Sequence, residues 1–209
     1  GAILAVAVMY FQKLNPFSPS KSARQKQATW ALWIKIVIAC IPAAVLGLLF
    51  DDWMEAHLYN AYVVAATLII YGVLFIALEN SSITANPSIT KVGHVSTKTA
   101  LFIGLFQLLS LVPGTSRSGS TILGAMVLGC SRGVAAEFSF FLGIPVMFGA
   151  SFLKLVKFFV KGNVLTGPQI FYTILGMAIA FGVSVYSIQF LMGYVRRHDF
   201  KFFGYYRII

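Results

Sequence analysis

Residues 112–121 read Val-Pro-Gly-Thr-Ser-Arg-Ser-Gly-Ser-Thr, inside otherwise apolar text. These are phosphate-binding residue types. Arg117 offers a planar fork that matches two phosphate oxygens at once. Ser116, Ser118, Ser120 and Thr121 add hydroxyl donors. A turn built on Gly114, Thr115 and Gly119 can expose successive backbone N–H groups as a nest for an anion. A helix opening at Gly119 and Ser120 and running through Met126 contributes its unpaired N–H groups and its dipole. No carboxylate lies within fifteen residues of Arg117. An unpartnered arginine in an apolar segment costs a few kcal/mol, so the composition calls for an anionic ligand. Taken singly, each hydroxyl reads as a helix cap or an interhelical bond, and the arginine as a snorkelling side chain. The run as a whole reads as a site.

The elements that must position this run are set by composition. Of 209 residues, 58% are hydrophobic and 11% charged, against about 25% charged in soluble domains. Residues 28–50 carry one charge, Lys35, and residues 60–78 and 162–195 carry none. A membrane-spanning helix needs about 20 such residues. A soluble enzyme, a disordered tail and a nucleic-acid module are excluded, and an all-α polytopic membrane protein is expected. The net charge of +10 then reads as basic loops against anionic lipid. Trp30, Trp33 and Trp53 read as interface anchors, and Cys40 and Cys130 as buried free thiols. Lipid cannot satisfy a broken backbone, so Pro113-Gly114 at membrane depth requires cover by protein or a watery cavity. The expected helices are 1–12, 28–50, 60–79, a re-entrant hairpin over 97–130, 133–160, 168–195 and the start of a last helix over 202–209.

Basic residues favour the cytoplasmic side. That places Lys13, Lys21, Arg24 and Lys26 inside, the acidic loop of Asp51, Asp52 and Glu55 outside, and Arg196 and Arg197 inside if the hairpin does not cross. Lys154, Lys157 and Lys161 then fall outside, against the rule. A faint internal repeat sets residues 1–14 against 142–155, with Ile3 on Ile144, Phe11 on Phe152, Lys13 on Lys154 and Leu14 on Leu155. The same offset pairs the helix after Ala28 with that after Gln169, and the helix at Asn60 with that at Lys201. Repeats with one broken helix each are a common membrane architecture, and they place the counterpart of the hairpin before Gly1, so a fragment lacking about 45 N-terminal residues and the end of its last helix is expected.

The string from Leu111 to Ile122 resembles the PGxSRSxxT signature of the bacterial undecaprenyl-diphosphate phosphatases of the BacA type. Its flanks are similar too: Gly104-Leu105-Phe106-Gln107 before it, Ser131-Arg132 and Ala136-Glu137-Phe138-Ser139-Phe140 after it, and Gly1-Ala2-Ile3-Leu4-Ala5-Val6 at the start. The resemblance implies a phosphatase of the bacterial inner membrane with two inverted repeats, each holding a re-entrant helix pair. It implies removal of the terminal phosphate of a polyprenyl diphosphate, recycling of the carrier for peptidoglycan synthesis, bacitracin resistance, and a divalent cation, Mg²⁺ or Ca²⁺. By the matched residues, Arg117 binds the diphosphate and Ser116 is nucleophile or phosphate ligand. Ser118 and Thr121 bond phosphate oxygens, with Gly114, Thr115, Gly119 and Ser120 completing the cradle. The family's ExxxE segment, Ser-rich turn and His are absent from residues 1–209. They are expected before Gly1, together with the metal ligands, and without them no activity is expected. A homodimer is a further expectation.

Gln107 is placed where a helix aims it at the hairpin turn, as a supporting residue. Glu137 reads as a carboxylate within an apolar span, beside the site or in a pair with Arg132 or Arg117. His57, His94 and His198 read as solvated. The alternative function is a transporter or flippase for a phosphate-bearing substrate, since repeats and broken helices also build carriers.

Overall fold

The computed structural model describes residues 1–162, 164–195 and 197–209; Asn163, Arg196 and the side chain of Asp51 lie outside the described residues, and the expectations for Arg196 and Asp51 with them. The described helices are α1 (Ala2–Met9), α2 (Phe11–Leu14), α3 (Ala23–Leu58), α4 (Ala61–Glu79), α5 (Thr97–Leu108), α6 (Arg117–Val127), α7 (Arg132–Val160), α8 (Gly167–Val195) and α9 (Lys201–Ile208). No strand occurs among the described residues beyond an isolated bridge between Ile89 and Cys130.

Side-chain oxygens start these helices. Ser22 and Gln25 form a reciprocal capping box on α3, which satisfies orphan N–H groups at both positions. Asn60, Ser96 and Ser131 accept from backbone N–H groups in the first turns of α4, α5 and α7. The stretch 51–58, expected as an acidic loop, instead continues α3 to Leu58. The 36 residues of α3 give it a rise of about 54 Å, well past the ~30 Å of a hydrocarbon core.

Stretches of α3, α4, α7 and α8 are long and apolar enough to cross a membrane: Ala23–Phe50, Ala61–Glu79, Arg132–Val160 and Gly167–Val195. The molecule is an all-α, multi-pass membrane protein. With 12 and 11 residues, α5 and α6 rise only about 18 and 16 Å. Each covers about half of a ~30 Å core. They form a hairpin whose base is closed by Ile89, which donates to Gly129 O at 2.9 Å and accepts from Ser131 N at 2.8 Å.

The helices pack reciprocally: α1 lies on α8, α7 lies on α3, and α4 lies on α9. The first helix of each triplet, α1–α3–α4 and α7–α8–α9, thus sits on the second helix of the other. Small residues make the close approaches, as is usual between helices in lipid. Gly104 of α5 faces the backbone of Ala39 on α3, and Gly72 of α4 faces Gly204 on α9. The core gathers Ile36, Ile103, Met126, Phe138, Phe141 and Leu142 from α3, α5, α6 and α7. Apolar residues such as Ile174, Val183 and Phe190 on α8 remain exposed, as a lipid-facing helix requires.

Candidate active site

The hairpin turn is built from the inside. Thr115 is buried, and its hydroxyl donates to the carbonyls of Leu109 and Val112 at 2.9 and 2.8 Å. Thr67 of α4 donates to Pro113 O at 2.8 Å. Gly114 has φ +89°, and a Cβ there would strike Thr67 and the α4 backbone, so only glycine serves. Ser116 follows with φ +65°, the one positive-φ residue other than glycine among the described residues. Such a conformation costs about 1–3 kcal/mol and recurs at functional sites. Ser116 caps α6: its Oγ accepts from Gly119 N at 3.3 Å and lies 3.3 Å from Ser118 Oγ. The helix therefore opens at Arg117, two residues earlier than its sequence predicts. The N–H groups of Arg117 and Ser118 meet no backbone acceptor among the described residues. They are the orphan donors of a helix start.

Arg117 reaches toward α7. Its Nη1 donates to Ser139 O at 3.3 Å, and its guanidinium lies over Gly143, where a Cβ would sit 2.7 Å from Nη2. Thr121 and Ser139 are tied hydroxyl to hydroxyl at 2.6 Å, which fixes α6 to α7 beside that contact. A second arginine, which sequence reasoning did not single out, comes from α9. Arg207 Nη2 donates to the carbonyls of Gly114 and Thr115 at 2.6 and 3.0 Å. Its guanidinium stands 5.6 Å from the centre of the Tyr71 ring, a cation–π contact. A Cβ on Gly119 would lie 2.7 Å from Arg207 Nη1. The first turn of α6 thus lies between two guanidinium groups, and neither pairs with a carboxylate among the described residues. The signal for Arg207 was present: like Arg117, it is a lone charge within apolar, aromatic text.

Arg117 closes the deep end of a groove of about 430 Å³ between α3, the end of α5 and α7. Cys40, Ala44, Leu111, Pro145 and Leu153 are among its apolar walls, Gln107 lies in it, and Lys154 and Lys157 stand at its other end. Along α7 the lysines lie 11 and 14 residues beyond Gly143, about 16 and 21 Å. The groove therefore leads from the hairpin turn toward the face opposite the hairpin base.

The remaining residues singled out in the sequence divide. Ser116, Arg117 and Ser118 stand together at the open start of α6. Ser120 and Thr121 are fully buried, and their hydroxyls donate to Ser116 O and Arg117 O, both at 3.0 Å. They hold the turn from within. Glu137 faces elsewhere: it pairs with Lys13 and lines a separate cavity with Arg132 and His94. Arg132 pairs with Glu79, not Glu137. Glu79 is the buried last residue of α4 and also accepts from Phe200 N at 3.0 Å. His57, His94 and His198 are exposed. Hard divalent cations take oxygen ligands rich in carboxylates. The turn offers guanidinium groups and hydroxyls instead, and no group of three or more His, Cys, Asp or Glu among the described residues could hold a metal. These residues do not fit a cation site by themselves.

Fold and site together define a multi-pass helical membrane protein with a short, arginine-flanked helix hairpin. The family model described as bacitracin resistance protein BacA matches residues 1–209, and the chain belongs to that family. It is 57% identical to the undecaprenyl-diphosphatase of Streptococcus thermophilus (strain CNRZ 1066) over 209 residues, all of this chain and 73% of the relative. The undecaprenyl-diphosphatase of Streptococcus mutans is 57% identical over 208 residues, 74% of its length. That of Enterococcus faecalis is 54% identical over 209 residues, 76% of its length.

Proposed function

We propose that the protein hydrolyses undecaprenyl diphosphate to undecaprenyl phosphate and inorganic phosphate. The bond between the bridging oxygen and the terminal phosphorus breaks, and the oxygen of water leaves on inorganic phosphate. One observation carries the reading: two guanidinium groups without carboxylate partners flank the orphan N–H groups of one helix start inside a membrane protein. Leaving such charge unpaired is costly, and a diphosphate supplies the missing anion. Fixed donors aimed at the phosphoryl oxygens stabilise the charge that spreads over them during transfer.

In this reading Arg117 takes the phosphoryl group directly. Ser116 and Ser118 meet it from the exposed cap. Arg207, bonded to the turn carbonyls, positions the cradle. Ser116 Oγ lies beside Ser118 Oγ, and serves as phosphate ligand or as nucleophile; a serine nucleophile needs an adjacent base. The apolar groove accommodates the first prenyl units, and Lys154 and Lys157 draw the head group to its mouth. That role accounts for two of the three lysines that break the positive-inside pattern. We place the protein in the bacterial plasma membrane, with the groove opening outward and the product returning as carrier lipid for cell-wall synthesis and bacitracin resistance.

The test is inorganic phosphate release from a long-chain prenyl diphosphate by the intact protein in detergent with Mg²⁺ or Ca²⁺. Hydrolysis predicts stoichiometric phosphate. A carrier moves the lipid and releases none, which would return the transporter reading to first place.

A further inference from the structure

The buried polar side chains of the described residues are Thr29, Glu79, Gln107, Thr115, Ser120, Thr121 and Ser139. All but one have protein partners: Thr29 bonds Lys21 and Gln25, Glu79 bonds Arg132 and Phe200, and the hydroxyls of the hairpin bond as described above. The exception is Gln107. It is 1% exposed, and neither Oε1 nor Nε2 has a hydrogen-bond partner among the described residues. An apolar helix interior gains nothing from an unpaired amide, and leucine would fill the same space without the penalty. The amide is not buried in packing alone, because Gln107 lines the groove whose deep end is Arg117, with Ser110 one turn further along. The Ser110 hydroxyl is turned away, donating to Gln107 O at 2.6 Å.

We propose that Gln107 is a direct phosphate-contacting residue: Nε2–H donates to a phosphoryl oxygen that Arg117 also holds, and Oε1 accepts from water at the head group. The assignment rests on the reading of the groove as a prenyl diphosphate site. It makes the amide a neutral second donor beside the guanidinium. The amide orients the anion without adding charge, and its stability cost is borne by the free protein until ligand binds.

The experiment compares the intact protein with Gln107→Leu and Gln107→Glu. It uses phosphate release from a prenyl diphosphate, and thermal denaturation with and without inorganic pyrophosphate. Gln107→Leu is expected to keep or raise the melting temperature, to lose the pyrophosphate-induced rise, and to lower kcat/KM about tenfold or more. Gln107→Glu, with the donor replaced by a negative oxygen, is expected to fall further still. A tail-dependent contact shows as protection by prenyl diphosphate but not by pyrophosphate; either form of protection, lost in Gln107→Leu, supports the contact. A melting temperature lowered in Gln107→Leu means that a protein group pairs with the amide, and overturns the proposal. Unchanged kcat/KM and unchanged protection overturn it as well. An absence of phosphate release from the unsubstituted protein overturns the phosphatase reading instead, and is recognisable as such because it precedes any substitution.

Discussion

Gly143→Ala adds one methyl group on the far side of the guanidinium that defines the site. The new Cβ would stand 2.7 Å from Arg117 Nη2, whereas unstrained non-bonded heavy atoms stay about 3.5 Å apart. The guanidinium must therefore move by about 0.8 Å, and its bond to Ser139 O, already 3.3 Å, lies at the long edge of hydrogen-bond geometry and breaks. Misplacing a reacting or binding group by about 1 Å costs about a hundredfold in rate. Stability moves little, because alanine is favoured over glycine within a helix by about 0.5–1 kcal/mol, which offsets the crowding. The expected result is a protein with nearly unchanged melting temperature and a kcat/KM lowered by about ten- to a hundredfold. The assay is phosphate release beside thermal denaturation. Gly176→Ala on α8, where a Cβ meets nothing, serves as the control with full activity. Full activity in Gly143→Ala would refute the reasoning, because it would mean that the position of Arg117 against α7 does not matter to the chemistry.

Other perturbations separate the roles of the remaining groups. Arg207→Ala removes two charge-assisted bonds to the turn carbonyls, each worth about 1.5–3 kcal/mol; both melting temperature and kcat/KM are expected to fall, and Arg207→Lys to restore only part of either. Ser116→Gly relieves the left-handed strain at φ +65° at a capping cost of a few tenths of a kcal/mol, so thermal denaturation is expected to show equal or greater stability while phosphate release falls about tenfold with the lost hydroxyl. Replacing Lys154 and Lys157 together by alanine is expected to raise KM severalfold, leave kcat unchanged and flatten the dependence of kcat/KM on salt, since surface charge acts on capture and is screened by ions.

The hairpin was legible in the sequence because Pro113-Gly114 and Arg117 contradict the apolar text around them, and lipid tolerates neither. Directions of side chains were not. The hydroxyls of Thr115, Ser120 and Thr121 look alike in a list of donors, but the turn directs the first, and α6 the other two, inward to backbone carbonyls and to Ser139. That Glu79, at the end of an apolar helix, is buried was not legible, because its burial depends on Arg132, distant in sequence. Glu137 read as a site carboxylate because its span is apolar, yet it meets Lys13 across the fold. Arg207 stands alone in apolar, aromatic text, but only the packing of α9 on α4 carries it to the turn. The acidic stretch after Phe50 lacks a helix breaker, so α3 runs on through it.

In the proposed reaction Arg117, held over Gly143 at the start of α6, binds the phosphoryl group that is released. That role is tested most directly by phosphate release from a long-chain prenyl diphosphate in Arg117→Ala and Arg117→Lys, with the folded state checked by thermal denaturation. The account predicts a loss of about a hundredfold or more in Arg117→Ala and incomplete recovery in Arg117→Lys, which keeps the charge but lacks the planar fork. Undiminished release from folded Arg117→Ala would contradict it.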